Sequence, residues 1–499
     1  MHRTFSLVAA DRIAFLLLIV TLLVPAESFA KTLYVSTSGN DAVSYDANSA
    51  STPWRTIGRA AWGSTNRQAR NGSQAARAGD LVLVAAGTYT TEGTNSRNEI
   101  AYYSENHGTA AAPIVFRAQG LVQLSLNSGI GPQIGSYLRN YITWDGFTIH
   151  EASAPSSADT GPVTVYGCTG CQLLNLDING NGNANNRMDN HNGIRIEGSQ
   201  NILVRNNRIQ NVYTAHNANN GAGIMVYASG AVTFEHNEIF NCGSGINLKG
   251  GPNTQIDYFT IRYNLLYNIG EASRGGSAII MHAGASTTAS RPTRIYQNIV
   301  RDSREAAVRI WRFSDTDITN TPMHGKIVNN TFYNVPKGIW VDNQPLPDAG
   351  FVFWNNIVSN NSEGPIAFNG VPNDKSRFDS EHNLFWSFGS ILTTNASHTL
   401  AGWKSLFGQD NAAAATISAD PRFVNAGGSD FHIASDSPAR SLGRDWLDLN
   451  GNGSTSDTVP AGAYVIGNEV IGRTAGGAAP SPTMPNAPTN LRILPPPVQ

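Results

Sequence analysis

Short runs of alternating apolar and polar residues recur along the chain, and each run leads through a turn to a second run and an asparagine. Examples are GIRIEG with LVRNNRI, GIMVYAS with FEHNEI, GINLKGG with TIRYNLL, and AVRIWRF with IVNNTF. A period of two indicates β-strands rather than helices, because successive side chains of a strand point to opposite faces. The pattern therefore predicts a β-unit repeated many times.

The asparagines that close these units give the length of the repeat. Successive members are separated by between 26 residues (Asn330 to Asn356) and 34 residues (Asn264 to Asn298), and such periods are typical of solenoids. The sequence therefore predicts an all-β solenoid in which one asparagine from each coil stacks at a shared corner, where amides hydrogen-bond along the axis. The seven residues are Asn207, Asn237, Asn264, Asn298, Asn330, Asn356 and Asn383.

The two ends of the chain differ from the repeat. Positive charge, the apolar run Ile13–Val24 and small residues up to Ala30 predict a signal peptide over 1–30, so we expect a secreted protein. The apolar run is too short for a bilayer, which needs about 20 residues. Residues 31–468 form the predicted solenoid, with a capping helix within Pro53–Trp62, and the Pro-rich segment 469–499 is predicted to be a linker or tail.

Composition excludes some partners. Lys and Arg number 34 and Asp and Glu 36, so the net charge of −2 gives no field that would attract nucleic acid or an anionic membrane. We expect a monomer that meets its substrate through local groups. Cys168 and Cys171 either close a small disulfide loop or remain buried thiols, and Cys242 is expected to be free.

Several segments carry a resemblance to a known family. KTLYVSTSGND, PWRTIGRA and AGDLVLVAAGTY resemble the opening, and ADPRFVNAGGSDFHIASDSPARSLG with AGAY the closing coil, of secreted bacterial right-handed parallel β-helix proteins of the pectate-lyase-like superfamily. The resemblance covers about Lys31 to Val465. It implies the fold but leaves the activity open, since the superfamily includes lyases, hydrolases, epimerases and non-catalytic proteins.

Alignment of the repeats predicts which side chains point outwards. One outward column is Thr164, Arg195, Met225, Asn247, Ile280, Arg309, Trp340 and Ala367, and the other is Tyr166, Glu197, Tyr227, Lys249, His282, Trp311, Asp342 and Asn369. Aromatic rings beside fixed polar groups suit sugars, whose apolar faces stack and whose hydroxyls need partners. The predicted glycan-binding residues are Tyr166, Arg195, Glu197, Asn247, Trp311, Trp340 and Asp342.

Four outward residues on consecutive coils supply the groups for β-elimination from a uronic acid. Lys249 or His282 would take the C5 proton, Tyr227 would protonate the leaving oxygen, and Arg309 would bind the carboxylate. In chondroitinase-B-like and pectate lyases, which the chain resembles, a basic side chain on the parallel sheet takes the proton, and Lys249 occupies a similar place. The sequence therefore predicts a polysaccharide lyase acting on an anionic glycan.

The resemblance also implies calcium, for which Asp189 and Glu197 are the best candidate ligands and Glu271 the third. The dense acidic cluster of some pectate lyases is missing, and no organic cofactor is expected. Three alternatives stay open. A C5 epimerase shares the proton abstraction and would use His191, His282 and Tyr227. A glycoside hydrolase would need Asp189 with Glu197 as its carboxyl pair. A non-catalytic glycan-binding protein would need neither a base nor a carboxyl pair.

Overall fold

The computed structural model of the chain describes residues 29–92, 100–128, 133–151, 161–182, 190–214, 218–249, 258–282, 288–311, 323–342, 349–369, 375–394, 396–411 and 416–474. All of the predicted signal peptide except Phe29 and Ala30 lies outside these residues, as does most of the predicted tail. The calcium candidate Asp189 lies outside them as well.

One side of the molecule is a sheet that, within the described residues, has twelve strands. Its pairings are parallel except the last, which is antiparallel. In chain order the strands are Tyr102–Tyr103, Ile134–Tyr137, Val163–Tyr166, His191–Glu197, Gly221–Tyr227, Ser244–Lys249, Ile279–His282, Ala306–Trp311, Lys337–Asp342, Gly364–Phe368, Ile391–Thr393 and Ala396–His398. We call this the front sheet.

The remaining coil strands form one bent sheet of 21 strands in the described structure. The bend arises because the long strand Ile142–His150 pairs with two short strands of the next coil. The strands are Lys31–Val35, Asp80–Glu92, Ile114–Ser128, Ile142–His150, Gln172–Leu174, Asp177–Asn179, Leu203–Arg205, Arg208–Val212, Val232–Glu235, Glu238–Cys242, Phe259–Arg262, Leu265–Ile269, Thr293–Tyr296, Ile299–Ser303, Met323–Val328, Thr331–Tyr333, Ala349–Trp354, Ile357–Asn361, Phe378–Glu381, Leu384–Phe388 and Ile417–Ser418. The architecture is the predicted right-handed parallel β-helix.

The corner within the bent sheet carries the predicted asparagine ladder. Each of the seven side chains is fully buried, and each amide from Asn207 to Asn356 donates to the Oδ1 of the next member at 2.9 to 3.2 Å. The residue before each of them has a positive φ, for example 58° at Asn206 and 54° at Asn329. This left-handed residue turns the chain, and the ladder asparagine satisfies buried backbone groups that the turn leaves open. The prediction for this corner is confirmed.

The core runs along the helix axis and is closed at both ends by helices. The inward residues of the front sheet, from Val163 to Phe368, are buried as the alternation predicts. Helix α1, Ile57–Trp62, begins after Thr56, whose hydroxyl accepts from the Arg59 amide, and it closes the first coils. Helix α2, Leu400–Phe407, lies at the other end, where the ring centres of Trp403 and Phe378 are 6.5 Å apart. The sequence analysis missed this helix.

Short elements complete the two ends of the described chain. The 3₁₀ helices are Gly72–Gln74, Ala218–Asn220, Ala426–Gly428 and Pro438–Ser441. Two antiparallel hairpins pair Phe423–Asn425 with Asp430–Ile433 and Gly443–Arg444 with Thr458–Val459. Of the helices in the described part of the chain, none is long and apolar enough to cross a membrane.

After the second hairpin the chain returns along the asparagine corner, against the order of the coils. The Gly462 amide donates to the Asn355 carbonyl at 2.8 Å, and Gly472 donates to the Tyr263 carbonyl at 2.8 Å. Thr474 donates its amide to Asn206 Oδ1 at 2.7 Å. The part of the chain that packs on the β-helix therefore extends to Thr474, past the predicted boundary at residue 468.

Candidate functional site

The front sheet has the register that the alternation predicts for both outward columns. In the first column Arg195 pairs with Met225, Met225 with Asn247, and Ile280 with Arg309. In the second column the pairs are Glu197 with Tyr227, Tyr227 with Lys249, and His282 with Trp311. The four predicted catalytic residues therefore lie on consecutive coils of one sheet.

The first column differs from the prediction in its exposure to solvent. Met225, Asn247 and Ile280 are fully buried, and Arg195 is 2% exposed. Neighbours in a column are only about 4.8 Å apart. A large side chain on one coil therefore covers the side chain of the next coil and keeps water away from it. The expectation that the whole column faces solvent is therefore wrong.

Tyr227 and Lys249 form the centre of the polar cluster on this sheet. Lys249 Nζ donates to the Asn220 Oδ1 at 2.8 Å and to the Tyr227 Oη at 3.4 Å. The Tyr227 hydroxyl donates to Asn190 Oδ1 at 3.3 Å. Asn220 ends the 3₁₀ helix Ala218–Asn220 that leads into the strand of Tyr227, so local chain geometry brings it to Lys249. Both Tyr227 and Lys249 are half-buried.

A second cation lies against the same ring. The Arg195 guanidinium lies 4.5 Å from the centre of the Tyr227 ring, and its Nε donates to Glu197 Oε2 at 3.1 Å. Arg195 also donates to Asn192 Oδ1 at 3.4 Å. Its side chain thus packs on the ring of Tyr227 and holds Glu197 in place, and the predicted direct contact of Arg195 with a glycan is unsupported by its burial.

His282 lies on the coil that follows Lys249, as the pairing of Leu248 with Met281 requires. Its ring meets the Trp311 ring edge to face, with 5.1 Å between the centres. His282 is 6% exposed. It is therefore more enclosed than Lys249, which is half-buried.

Arg309 has its guanidinium held by carboxylates of the protein itself. It donates to Asp342 Oδ2 at 2.6 Å and to Glu305 Oε2 at 3.2 Å. The rings of Trp311 and Trp340 lie 4.3 and 4.1 Å from the guanidinium carbon. These contacts contradict the expectation that Arg309 and Asp342 are open to a substrate, because each is the other's partner in a nearly buried pair.

The aromatic residues of the two columns are partly covered. Trp311 and Trp340 are half-buried because one side of each packs on Arg309. Tyr166 stacks on Tyr137 with 5.4 Å between ring centres and is also half-buried. Each of these rings keeps part of its surface open to a ligand.

The described residues do not fit a calcium ion. The carboxylate of Glu197 accepts from Arg195, and that of Glu271 is ion-paired with Arg274. Burial raises the pKa of Glu271, and Arg274 opposes that shift. Among the residues that the structure describes, no three acidic, histidine or cysteine side chains come together as a metal site. Asp189 lies outside that set.

The sequence analysis named His191 only as a candidate residue of an epimerase, and it did not predict the contacts of this side chain. His191 is buried at the start of its strand, where Nε2 contacts the Glu151 carboxylate and Nδ1 lies 3.0 Å from the Tyr213 carbonyl. The partners Asn190 and Asn220 of the central pair were also missed. All of these residues lie in or beside turns, where strand alternation makes no prediction.

Comparisons with known proteins bear on the fold. Residues 140–401 match the family described as right-handed β-helix region, and no curated protein matches the sequence. The crystal structure of pectate lyase Pel9A aligns over 88% of this chain and 97% of its own, with a TM-score of 0.56 and 15% identity. An exopolygalacturonase from Thermotoga maritima aligns over 64% and 85%, with a TM-score of 0.43 and 10% identity. At these identities the likeness to Pel9A shows the fold alone.

Proposed function

Since the chain belongs to the family of right-handed β-helix proteins, we propose that it is a polysaccharide lyase that cleaves a uronic-acid-containing glycan on its front sheet. The observation that carries the proposal is the contact between Lys249 and Tyr227. A basic nitrogen and a phenolic oxygen lie 3.4 Å apart on neighbouring coils. This pair offers a proton acceptor and a proton donor within reach of one sugar unit.

The elimination balances with these two groups alone. The base removes the proton from C5 of the uronate, the C4–O bond breaks, and a C4–C5 double bond forms. The electron pair of the C4–O bond goes to the leaving oxygen, which takes the Tyr227 hydroxyl proton. No oxidant is needed, and each proton transfer contributes roughly 10² to 10⁴-fold when the group is well placed.

Lys249 is the proposed base, and His282 is the second candidate. Lys249 is half-buried beside Tyr227, whereas His282 is nearly buried against Trp311. Arg195, which lies over the Tyr227 ring, is the proposed source of positive charge close to the reacting carboxylate. In this proposal Arg309 acts as a positioning residue that fixes Trp311 and Trp340.

The glycan is proposed to lie along the second column. Tyr166, Trp311 and Trp340 keep part of each ring open, and Glu197 is half-buried, so these residues can contact sugars. Asn247 is buried, donating to the Asn219 carbonyl at 2.8 Å. It is therefore assigned, with Asp342, to supporting the surface rather than to forming it.

Secretion and calcium are also proposals. The charge and apolar pattern of residues 1–30 supports secretion, and so does the disulfide between Cys168 and Cys171, since disulfides persist in oxidising compartments. Calcium is proposed only as an optional aid, because the described carboxylates do not fit it, and no step above passes through a metal. We expect turnover to persist in the presence of EDTA.

The proposal is tested by incubating the full chain with polygalacturonate, alginate and chondroitin in D₂O. Absorbance of an unsaturated uronate product from one of them supports the lyase. Deuterium at C5 without chain cleavage would identify the epimerase instead. Saturated reducing ends would identify a hydrolase, and binding with no chemical change would identify a non-catalytic glycan-binding protein; each of these three outcomes overturns the lyase.

A further inference from the structure

A long groove of about 940 Å³ lies at the corner where the bent sheet ends and each coil turns towards the front sheet. We call it the corner groove. Six of its lining residues follow one another on successive coils: Asn241, Asn268, Asp302, Asn334, Asn360 and Ser387. Five steps at about 4.8 Å give a length of about 24 Å, enough for several sugar units. None of the candidate catalytic residues lines this groove.

The six residues share one backbone conformation. Their φ values lie between 48° at Ser387 and 58° at Asn360. Asparagine and aspartate adopt this left-handed conformation more readily than other side-chain-bearing residues. The turn therefore explains why asparagine is favoured, but it does not require the side chains to point into a groove of this size.

The amides keep hydrogen-bonding capacity for a ligand. Asn360 donates to Asn334 Oδ1 at 3.1 Å, and Asn334 donates to Asp302 Oδ1 at 2.5 Å. Each amide has two donor hydrogens and a carbonyl oxygen with two lone pairs, so both remain only partly used. Asn268 is exposed, and among the described residues its amide has no hydrogen-bond partner. Planar polar groups spaced in this way suit the hydroxyls of a sugar chain.

Aromatic rings lie at both ends of the groove. Tyr213 lines it on the coil that precedes Asn241, Phe388 lines it on the coil of Ser387, and both are half-buried. Polar groups along the length with aromatic rings at the ends are the two features that sugars need, because their apolar faces stack and their hydroxyls hydrogen-bond.

Arg304 supplies an uncompensated positive charge. Its side chain is exposed and lines the groove, and its stem packs on Gly270, where a Cβ would come within 2.6 Å of the Arg304 Cβ. No described residue forms an ion pair or hydrogen bond with its guanidinium. The charged groove residue Asp302 is already paired with Arg301. An anionic group on the ligand is therefore favoured beside Arg304.

We propose that the corner groove is a second carbohydrate site, which binds a uronic-acid-containing oligosaccharide with one carboxylate at Arg304. Its lining does not include Tyr227 or Lys249, so in this proposal it holds a glycan chain without taking part in bond cleavage. The binding goes beyond the lyase proposal and does not depend on it, although the shared substrate class would keep the polymer close to the front sheet.

Binding is measured by calorimetry with the hexamer of galacturonate and the hexamers of mannuronate and guluronate. Arg304→Gln is expected to weaken binding to the groove about tenfold, the usual effect of losing a hydrogen bond to a charged group. Asn360→Gly removes an amide but keeps the positive φ, and a loss of roughly threefold or more is expected. Carboxyl-reduced hexamers should lose the dependence on Arg304.

Two matched variants control for surface and turn effects. Arg440→Gln removes an exposed arginine that does not line the groove. Asn201→Gly removes an exposed asparagine with a φ of 56° at another turn. Neither should change the affinity. If Arg304→Gln and Asn360→Gly also leave it unchanged for every hexamer, the proposal is wrong.

Hydroxyl-radical footprinting locates the bound hexamer independently of turnover. Protection of Tyr213 and Phe388 supports the corner groove, whether or not the protein cleaves any glycan. If only Tyr227 and Trp340 are protected and the groove residues are unchanged at saturation, the proposal for the corner groove is wrong, while the lyase proposal stands. Absence of cleavage with groove protection would instead count against the lyase only.

Discussion

The Nζ atom of Lys249 lies 3.4 Å from the phenolic oxygen of Tyr227, and the two residues are paired across neighbouring strands of the front sheet. Backbone pairing fixes their separation, and Asn220 and Asn190 fix the side chains through one hydrogen bond each. The geometry therefore belongs to the folded protein before any substrate binds, which is the preorganisation that general acid–base catalysis needs.

The first prediction concerns the hydroxyl of this pair. Tyr227→Phe keeps the ring beneath Arg195 and removes only the oxygen, so turnover should fall by roughly 10² to 10⁴-fold while binding is kept. Measuring kcat and KM for formation of the unsaturated product separates the effect on turnover from the effect on binding. Tyr267→Phe, on the bent sheet, is the matched control and should keep the parent rate. Parent turnover in Tyr227→Phe would remove this residue from the mechanism.

The second prediction concerns the pair beneath the tryptophans. Asp342→Asn leaves the nearly buried Arg309 with one carboxylate fewer, and it should lower the free energy of unfolding by about 3 kcal/mol. Urea denaturation measures the change. Asp436→Asn breaks the exposed pair of Arg422 and Asp436, whose side chains are 52% and 67% exposed, and should have almost no effect. Equal effects of the two substitutions would show that the Arg309 pair is not a stabilising element.

The third prediction concerns the asparagine ladder. Asn298→Ala removes the Oδ1 that accepts from the backbone N–H and the side-chain amide of Asn264, and it takes the Nδ2 donor away from Asn330 Oδ1. The free energy of unfolding should fall by at least about 2 kcal/mol. Asn201→Gly, at an exposed turn, serves as the control in the same urea titration. A ladder that tolerated Asn298→Ala without loss would owe its stability to backbone pairing alone.

The fourth prediction concerns how the free energy of unfolding depends on pH through Asp410, which lies beside helix α2. Burial raises the pKa of Asp410 from 3.8 to about 7, although Trp403 Nε1 at 2.7 Å and the hydroxyls of Ser380 and Thr416 donate to it and oppose that shift. Between about pH 4 and pH 7 the folded state therefore holds a proton that the unfolded state has lost. Stability is greatest below this window and falls as the pH rises through it.

Asp410→Asn tests this dependence, because an amide does not titrate. The parent should lose on the order of a few kcal/mol between pH 4 and pH 8 through this group, and the variant should lose that much less. Unfolding in urea at several pH values gives both curves. Parallel curves for the parent and the variant would assign the pH dependence to other groups.

Much of the fold follows from the sequence because its signals are periodic. Alternation fixes which residues face the core, and the recurring asparagine fixes the corner, so the register of both outward columns was predictable. The exposure of those columns was not, because it depends on the sizes of neighbouring side chains. Arg309 lies between Trp311 and Trp340, and Met225 is covered although it points outwards.

The corner groove left a signal in the sequence that alternation does not use. Each ladder asparagine from Asn237 to Asn356 is followed four residues later by Asn241, Asn268, Asp302, Asn334 or Asn360. The positive φ of these residues marks a second turn in every coil. Helix α2 was missed because its eight residues, capped by Thr399 and Gly408, lie beyond the last regular repeat.

The role of Lys249 as the base is tested most directly by exchanging it for arginine. Lys249→Arg keeps a positive charge near Tyr227, but a guanidinium stays protonated and cannot accept the C5 proton. On the polyuronate that the parent cleaves, formation of the unsaturated product should fall by roughly 10² to 10⁴-fold, while Lys326→Arg, on the bent sheet, should keep the parent rate. Unsaturated product formed by Lys249→Arg at the parent rate would contradict this account of the site.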